Sequence, residues 1–308
     1  MKAYVAVTDV DWYQYLSSRP TIHEANFWRP RDTRQFKSLR PGEPFIFKVK
    51  APLNRTVGGA IYEGFVSLRI SQAWEFFGEG NGVSSVEELV HRVSVISRRA
   101  IDEVGDQEIG CILLRDLWFL PGHQLLPAPE RFSVNIVQGM SFDFPGEDAV
   151  VDAIVPRILS QEEWTTQFGP EVENLGPTHG FPRLIIPRLG QGGFKAIVQE
   201  AYKRRCAVTR HKILPTLQAA HIVPVSNGGQ HRVDNGILLR SDVHTLFDRG
   251  YIGVDTDFRL RVSPRIRSEF GNGDEFYSME GQIVTLPTVM ESRPSPDYLS
   301  WHLKKVFR

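Results

Sequence analysis

The segment AAHIVPVSNGGQHRVDNGILLRSDVHTLFDRG, from Ala219 to Gly250, constrains the fold of this chain more than any other stretch. A strand-like AHIVP, a turn at Gly228–Gly229, a second apolar strand at Ile237–Leu239 and a short helix follow one another closely. His221, Asn235 and His244 fall along it at intervals of fourteen and nine residues. Such a unit presents one histidine as a base and the other as a metal ligand. That pairing suits hydrolysis of a phosphodiester bond. A neutral imidazole takes the proton of a water, and one divalent cation stabilises the phosphate and the departing oxygen.

At 308 residues the chain is long for one core and comfortable for two domains. No apolar run has the length of a bilayer span, and the start MKAYVAVTDVDWYQ lacks the pattern of a signal peptide. Cys111 and Cys206 are the only cysteines, too few for a cysteine-based zinc site and in keeping with a reducing cytoplasm. A formal net charge of zero hides an asymmetry. Residues 183–308 hold 19 Lys/Arg and 12 Asp/Glu (+7), so residues 1–182 hold 36 − 19 = 17 and 36 − 12 = 24 (−7). A basic C-terminal half suits a polyanionic partner.

Residues 1–145 read mainly as β structure. KAYVAV, PFIFKVK, GGAIYEGFVSLRI, IGCILLRDLWFL and SVNIV carry β-branched and aromatic residues between Pro/Gly turns. VSSVEELVHRVSVISR has helical spacing, with Ser84 or Ser85 as N-cap. Residues 146–189 read as a connecting segment, with the junction in a Pro/Gly-rich stretch near 175–190. The second domain, 190–308, begins with an amphipathic helix from about Gly193 to Arg205. After the His–Asn–His unit come strands in YIGVD and FRLRVS and a final helix in PSPDYLSWHLKKVF, with Pro296 in its first turn. The expected fold class is α+β: a curved β-barrel domain followed by a ββα domain.

With P-x-S-x-G-G after the first histidine, then NGILL and HTLFDRG, the segment resembles the HNH nucleases and their ββα-metal unit; the likeness runs from about Arg188 to Arg308. The resemblance implies that His221 is the general base, that Asn235 braces the loop and orients that base, and that His244 binds one divalent ion, Mg2+ or Mn2+. One departure concerns the metal: many members carry an acidic ligand just before the first histidine, where this chain has Ala220. Asp248, four residues beyond His244 on the same helix face, is the candidate second ligand, and a capping or ion-pair role stays open for it. Gln218 is a weaker candidate, because strand alternation puts it on a different face from its neighbours. His231 reads as a solvated loop residue or a phosphate contact. Arg240, Arg249, Lys203, Arg204 and Arg205 are candidate phosphate contacts.

An HNH-like unit behind a β domain resembles the prokaryotic, McrA-like modification-dependent restriction endonucleases. Their N-terminal domains often belong to the PUA superfamily (SRA, EVE and YTH-like members) and hold a flipped modified base. AYVAV, NFWRP, LRPGEPFIFK and VGGAIYEGF carry that second likeness. It implies double-stranded DNA containing 5-methyl- or 5-hydroxymethylcytosine as partner, and two copies of the chain if both strands are cut. A flipped base needs aromatic faces and a few polar groups at its edge. Trp28, Tyr62 and Trp12 are the candidate pocket residues, Asn26 and Asp32 the candidate edge readers, and Arg29, Arg31 and Arg34 flank Trp28 as on a nucleic-acid surface. Two other readings stay open: a first domain that reads sequence or a protein partner, and a catalytically inactive DNA-binding protein.

Overall fold

Two units make up the chain, Met1–Glu171 and Val172–Arg308; the computed structural model describes residues 1–30, 35–133, 135–167 and 190–308 of them. The first unit runs β1 (Lys2–Thr8), α1 (Val10–Ser17), β2 (Glu24–Arg29), β3 (Pro44–Val49), β4 (Arg55–Arg69), α2 (Ile70–Phe77), α3 (Val86–Ser97), α4 (Ile101–Val104), β5 (Glu108–Phe119), β6 (Leu126–Pro127), β7 (Gly139–Asp143) and α5 (Ala149–Gln167). Its strands form one sheet in the order β2-β5-β4-β3-β1-β7, with β6 on β4. Among the described residues only β1 and β3 pair in parallel.

Apolar side chains cover both faces of this sheet, which is why its strands read as continuous apolar runs rather than alternating ones. Tyr4 and Ala6 of β1 join Trp12, Leu16, Phe45 and Phe47 on one side. Ala3 and Val5, one residue out of phase, join Ile46, Ile61 and the α5 residues Val151, Ile154, Val155 and Ile158 on the other. Gly59 makes room for this helix: a Cβ there would fall 2.2 Å from Ile158 Cδ1. The first unit therefore extends beyond residue 145, because α5 completes its second core layer.

The expected barrel does not close. The strand path ends at β2 and β7, and no pairing joins these two among the described residues. The turn Gly78–Asn81 lies against β2 instead, with Gly80 so near that a Cβ would fall 2.6 Å from the Glu24 carbonyl oxygen. Ser133, Asn135, Ile136 and Val137 of SVNIV lie in no strand; the last strand of this unit is Gly139–Asp143. The helix expected around Glu87 and Glu88 is α3, capped by Ser85 Oγ accepting from the Glu88 amide. Arg31, Asp32 and Arg34 lie outside the described residues.

The second unit runs α6 (Gln191–Ala201), β8 (Leu217–His221), β9 (Gly236–Arg240), α7 (Ser241–Asp248), β10 (Ile252–Val254), β11 (Leu260–Val262), α8 (Arg265–Phe270), α9 (Asp274–Tyr277) and α10 (Pro296–Lys305). β8 and β9 pair antiparallel, setting Ala220 opposite Ile237 and His221 opposite Gly236. α7 follows directly, so strand, strand and helix form the expected ββα unit around Ile237–Leu239, Val243 and Phe247. α6 packs on this pair through Phe194 and Val198 and ends at Ala201, earlier than expected. Lys203 and Arg204 turn into the left-handed region (φ 51° and 55°) and break it. No helix among the described residues is long and apolar enough to cross a membrane.

Candidate active site

A cleft of about 590 Å³ opens over the ββα unit, lined by His221, His231, His244, Asp248 and His302 among others. His221 closes β8. Its ring stacks on Phe194 at 4.0 Å and 10° between planes, and its Nε2 lies 3.0 Å from His231 Nδ1. Burial, followed by the charges of His231 and His244, pushes the His221 imidazole down to about 4. It is therefore neutral at pH 7 with a lone pair available, as a base must be.

Asn235 is wholly buried, and both its oxygen and its two N–H groups are hydrogen-bonded. Its Oδ1 accepts from the Val223 amide at 2.8 Å, while its Nδ2 donates to the carbonyls of Val223 (3.0 Å) and Gln230 (2.9 Å). It ties the strand exit after His221 to the far side of the loop, and none of its hydrogen bonds goes to the imidazole itself. The loop closes tightly over Gly229, where a Cβ would fall 1.8 Å from the Val223 carbonyl oxygen. The brace therefore works on backbone.

His244 projects from α7. Gln218 Oε1 lies 2.7 Å from its Nδ1. An amide oxygen accepts only, so Nδ1 carries the proton and Nε2 keeps a lone pair. Asp248 Oδ2 lies 3.3 Å from that Nε2. Burial raises the Asp248 carboxyl, and the His244 charge opposes the rise. An imidazole nitrogen whose other ring N–H is fixed by an outer partner, beside a carboxylate, is a donor pair that fits a divalent ion. Among the described residues no cluster of three or more His, Cys, Asp or Glu is arranged to hold a metal. An ion held by these two groups would take its remaining positions from water and phosphate, as Mg2+ commonly does. Ala220 is wholly buried opposite Ile237.

None of the five basic candidates lines the cleft. Arg240 is held by both oxygens of Asp242 and by Glu275, and Arg204 pairs with Glu200 at 3.7 Å. Lys203 and Arg205 are exposed at the end of α6, and exposed Arg249 caps α7. His231 is not a solvated loop residue: it is half-buried against His221. His302, which the sequence reading passed over, is 2% exposed and stacks on Phe247 at 3.8 Å. Its Nε2 lies 3.0 Å from the Phe247 carbonyl oxygen, and burial pushes it down to about 4. An aromatic residue beside the helix-opening glycines was the only sequence signal for Phe194; nothing marked the partners of Gln218, His231 or His302.

In the first unit, a pocket of about 300 Å³ is lined by Trp12, Phe27 and Trp28 and by the polar residues Asp9, Arg29, Lys50 and Arg92. Trp28 is held by its Nε1 donating to the Asn81 carbonyl oxygen at 3.0 Å. Trp12 is 5% exposed, and its buried Nε1–H has no hydrogen-bond acceptor among the described residues. Tyr62 does not belong here. It is 4% exposed in the core and packs edge-on against Phe36 at 5.3 Å. Asn26 is wholly buried, donating to Asn81 Oδ1 at 2.9 Å and lying 3.3 Å from Cys111 Sγ, so it is structural.

Residues 206–255 match the HNH endonuclease family model. His221, Asn235 and His244 all fall within it. An HNH endonuclease domain thus occupies the core of the second unit. No curated protein matches the chain in sequence. Among solved structures, an ASCH protein from Zymomonas mobilis superposes with a TM-score of 0.28 and 15% identity, over 40% of this chain and 73% of that one. A modification-dependent TagI restriction endonuclease gives 0.27 and 13%, over 92% of this chain and 75% of that one. Superpositions this loose carry no argument about function.

Proposed function

We propose that the protein is a metal-dependent DNA endonuclease of the restriction type, cutting through the second unit and choosing its target through the first. The observation that carries the nuclease reading is the single cleft shared by a neutral His221 and the His244–Asp248 pair. His221 takes the proton of a water that attacks phosphorus. Asn235 fixes the backbone on both sides of that base. No lysine or arginine lines the cleft among the described residues. A divalent ion held by His244 and Asp248 would supply the charge stabilisation at phosphorus and at the departing oxygen.

The target reading rests on the aromatic pocket, whose volume sits at the low end of the roughly 300–1,000 Å³ of small-ligand sites. We read the first unit as a PUA-like module, open-sheeted rather than closed, that receives a flipped 5-methyl- or 5-hydroxymethylcytosine there. Trp28 offers a face for stacking at a wall that Phe27 and Trp12 complete. Asp9, with Lys50 at 3.4 Å and Arg92 at 3.5 Å, adds a fixed carboxylate at the same wall. One cleft cuts one strand, so cleavage of both strands calls for two copies.

The test compares one plasmid in unmodified, methylated and hydroxymethylated form, with Mg2+ or Mn2+. Cutting of the modified forms alone is expected. Equal cutting of all three would end the modification-dependent reading and favour a first unit that reads sequence. DNA binding without any nick would end the nuclease reading.

A further inference from the structure

We infer that His231 is the positioning partner of the base: His221 donates its Nε2–H to His231 Nδ1, which leaves His221 Nδ1 to take the proton of the attacking water. This rests on the nuclease reading above. The two nitrogens are 3.0 Å apart, and the rings meet edge to face at 4.9 Å and 64°. Phe194 lies flat on His221, fixing the plane of its ring.

Two neutral histidines joined this way share one proton, which has two placements. If His231 Nδ1 carried it, His221 would hold its own proton on Nδ1 and have no free lone pair for a water. If His221 Nε2 carries it, His231 is protonated on Nε2 and His221 Nδ1 is a base. Only the second placement lets His221 do what the HNH domain requires. Nε2 is engaged in either case.

The loop is built to aim His231. Asn235 holds the Gln230 carbonyl one residue before it, and Gly229 passes where no Cβ fits. The brace thus acts on the base through His231. The proton count closes: water gives a proton to His221 Nδ1 as the new O–P bond forms and the P–O3′ bond breaks, and solvent protonates the departing oxygen. His221 then passes its Nε2 proton to His231 Nδ1, and His231 releases its own from Nε2. Among the described residues, the titratable groups that line the cleft with His221 are His231 from the loop, His244 and Asp248 from α7, and His302 from α10.

The full chain labelled with 15N-histidine reports the tautomer directly, the His221 signals being assigned with a His221→Gln variant. A proton on Nε2 of His221 at neutral pH is expected; a proton on Nδ1 overturns the inference. His231→Phe removes the acceptor and His231→Asn keeps one near the Nδ1 position. On methylated plasmid with Mn2+, H231F should lower kcat roughly 100-fold at unchanged KM, short of the ~10⁴ lost when a triad aspartate becomes asparagine. H231N should recover most of that loss. An H231F protein with the wild-type rate overturns the inference. If the wild type cuts no plasmid the nuclease reading fails instead, while the tautomer still decides the pairing.

Discussion

In the cleft, His221, His231, His244 and Asp248 come from one stretch, residues 221–248, and His302 of α10 joins them. The pocket of the first unit draws on β1, α1, β2, α3 and the loops between them, from Tyr4 to Gln138. The cleft is lined by imidazoles and a carboxylate that chemistry needs; the pocket is lined by indoles that elsewhere in the same unit fill the core. A site made of one short supersecondary unit keeps its spacing in the sequence. A site assembled by a sheet does not, because its members are brought together by strand order rather than by proximity along the chain.

The largest expected effect sits in the cleft. His221→Ala should lower the cleavage rate on methylated plasmid by about 10²–10⁴-fold while leaving binding to the same DNA unchanged. A change in target preference in that variant would break the division of labour between the two sites.

The second expected effect is acid sensitivity confined to the second unit, where His221 and His302 are both held near 4. A histidine lowered on folding carries no penalty above its unfolded value near ~6.5. As pH falls the unfolded chain binds the extra proton first, so stability drops between ~6.5 and about 4 and levels off below. For the 2%-exposed His302 the full loss is about 3 kcal/mol. Thermal melts at pH 7 and 4.5 should show it, and His302→Phe should reduce the difference.

Next comes the pocket. Trp28→Ala should weaken binding of a methylated duplex roughly 10–100-fold, as loss of one stacking face does, without changing the rate of chemistry at saturation. Fluorescence anisotropy on matched methylated and unmethylated duplexes measures it. Equal weakening on both would make Trp28 structural, consistent with its bond to Asn81. The smallest effect is Asp248→Asn, expected to lower Mn2+ affinity about tenfold by titration calorimetry while His244 still binds. Unchanged affinity would return Asp248 to the role of an ion-pair partner on α7.

The legible parts of the fold share one cause. β1, β3, β4, β5 and α3 announced themselves through apolar runs and a serine cap, and Pro296 marked the start of α10. α6 stops sooner than its apolar spacing implies, because its end is set by two left-handed basic residues that no residue type requires. Tyr62 shows the same limit for the site. As an aromatic on a strand it matched a pocket residue as well as Trp12 did, and only packing against Phe36 put it in the core.

The sequence alone determined the His–Asn–His unit, since fourteen and nine residues of strand, turn and helix hold those side chains at a spacing that local geometry fixes. Tertiary structure decided the rest: that the first sheet stays open, that Trp12 keeps a buried N–H without an acceptor among the described residues, and that Phe194 and His231 flank the base. Those facts depend on which surfaces meet after the strands pair. Burial and hydrogen-bond partnership are properties of neighbours in space, and the order of residues does not carry them.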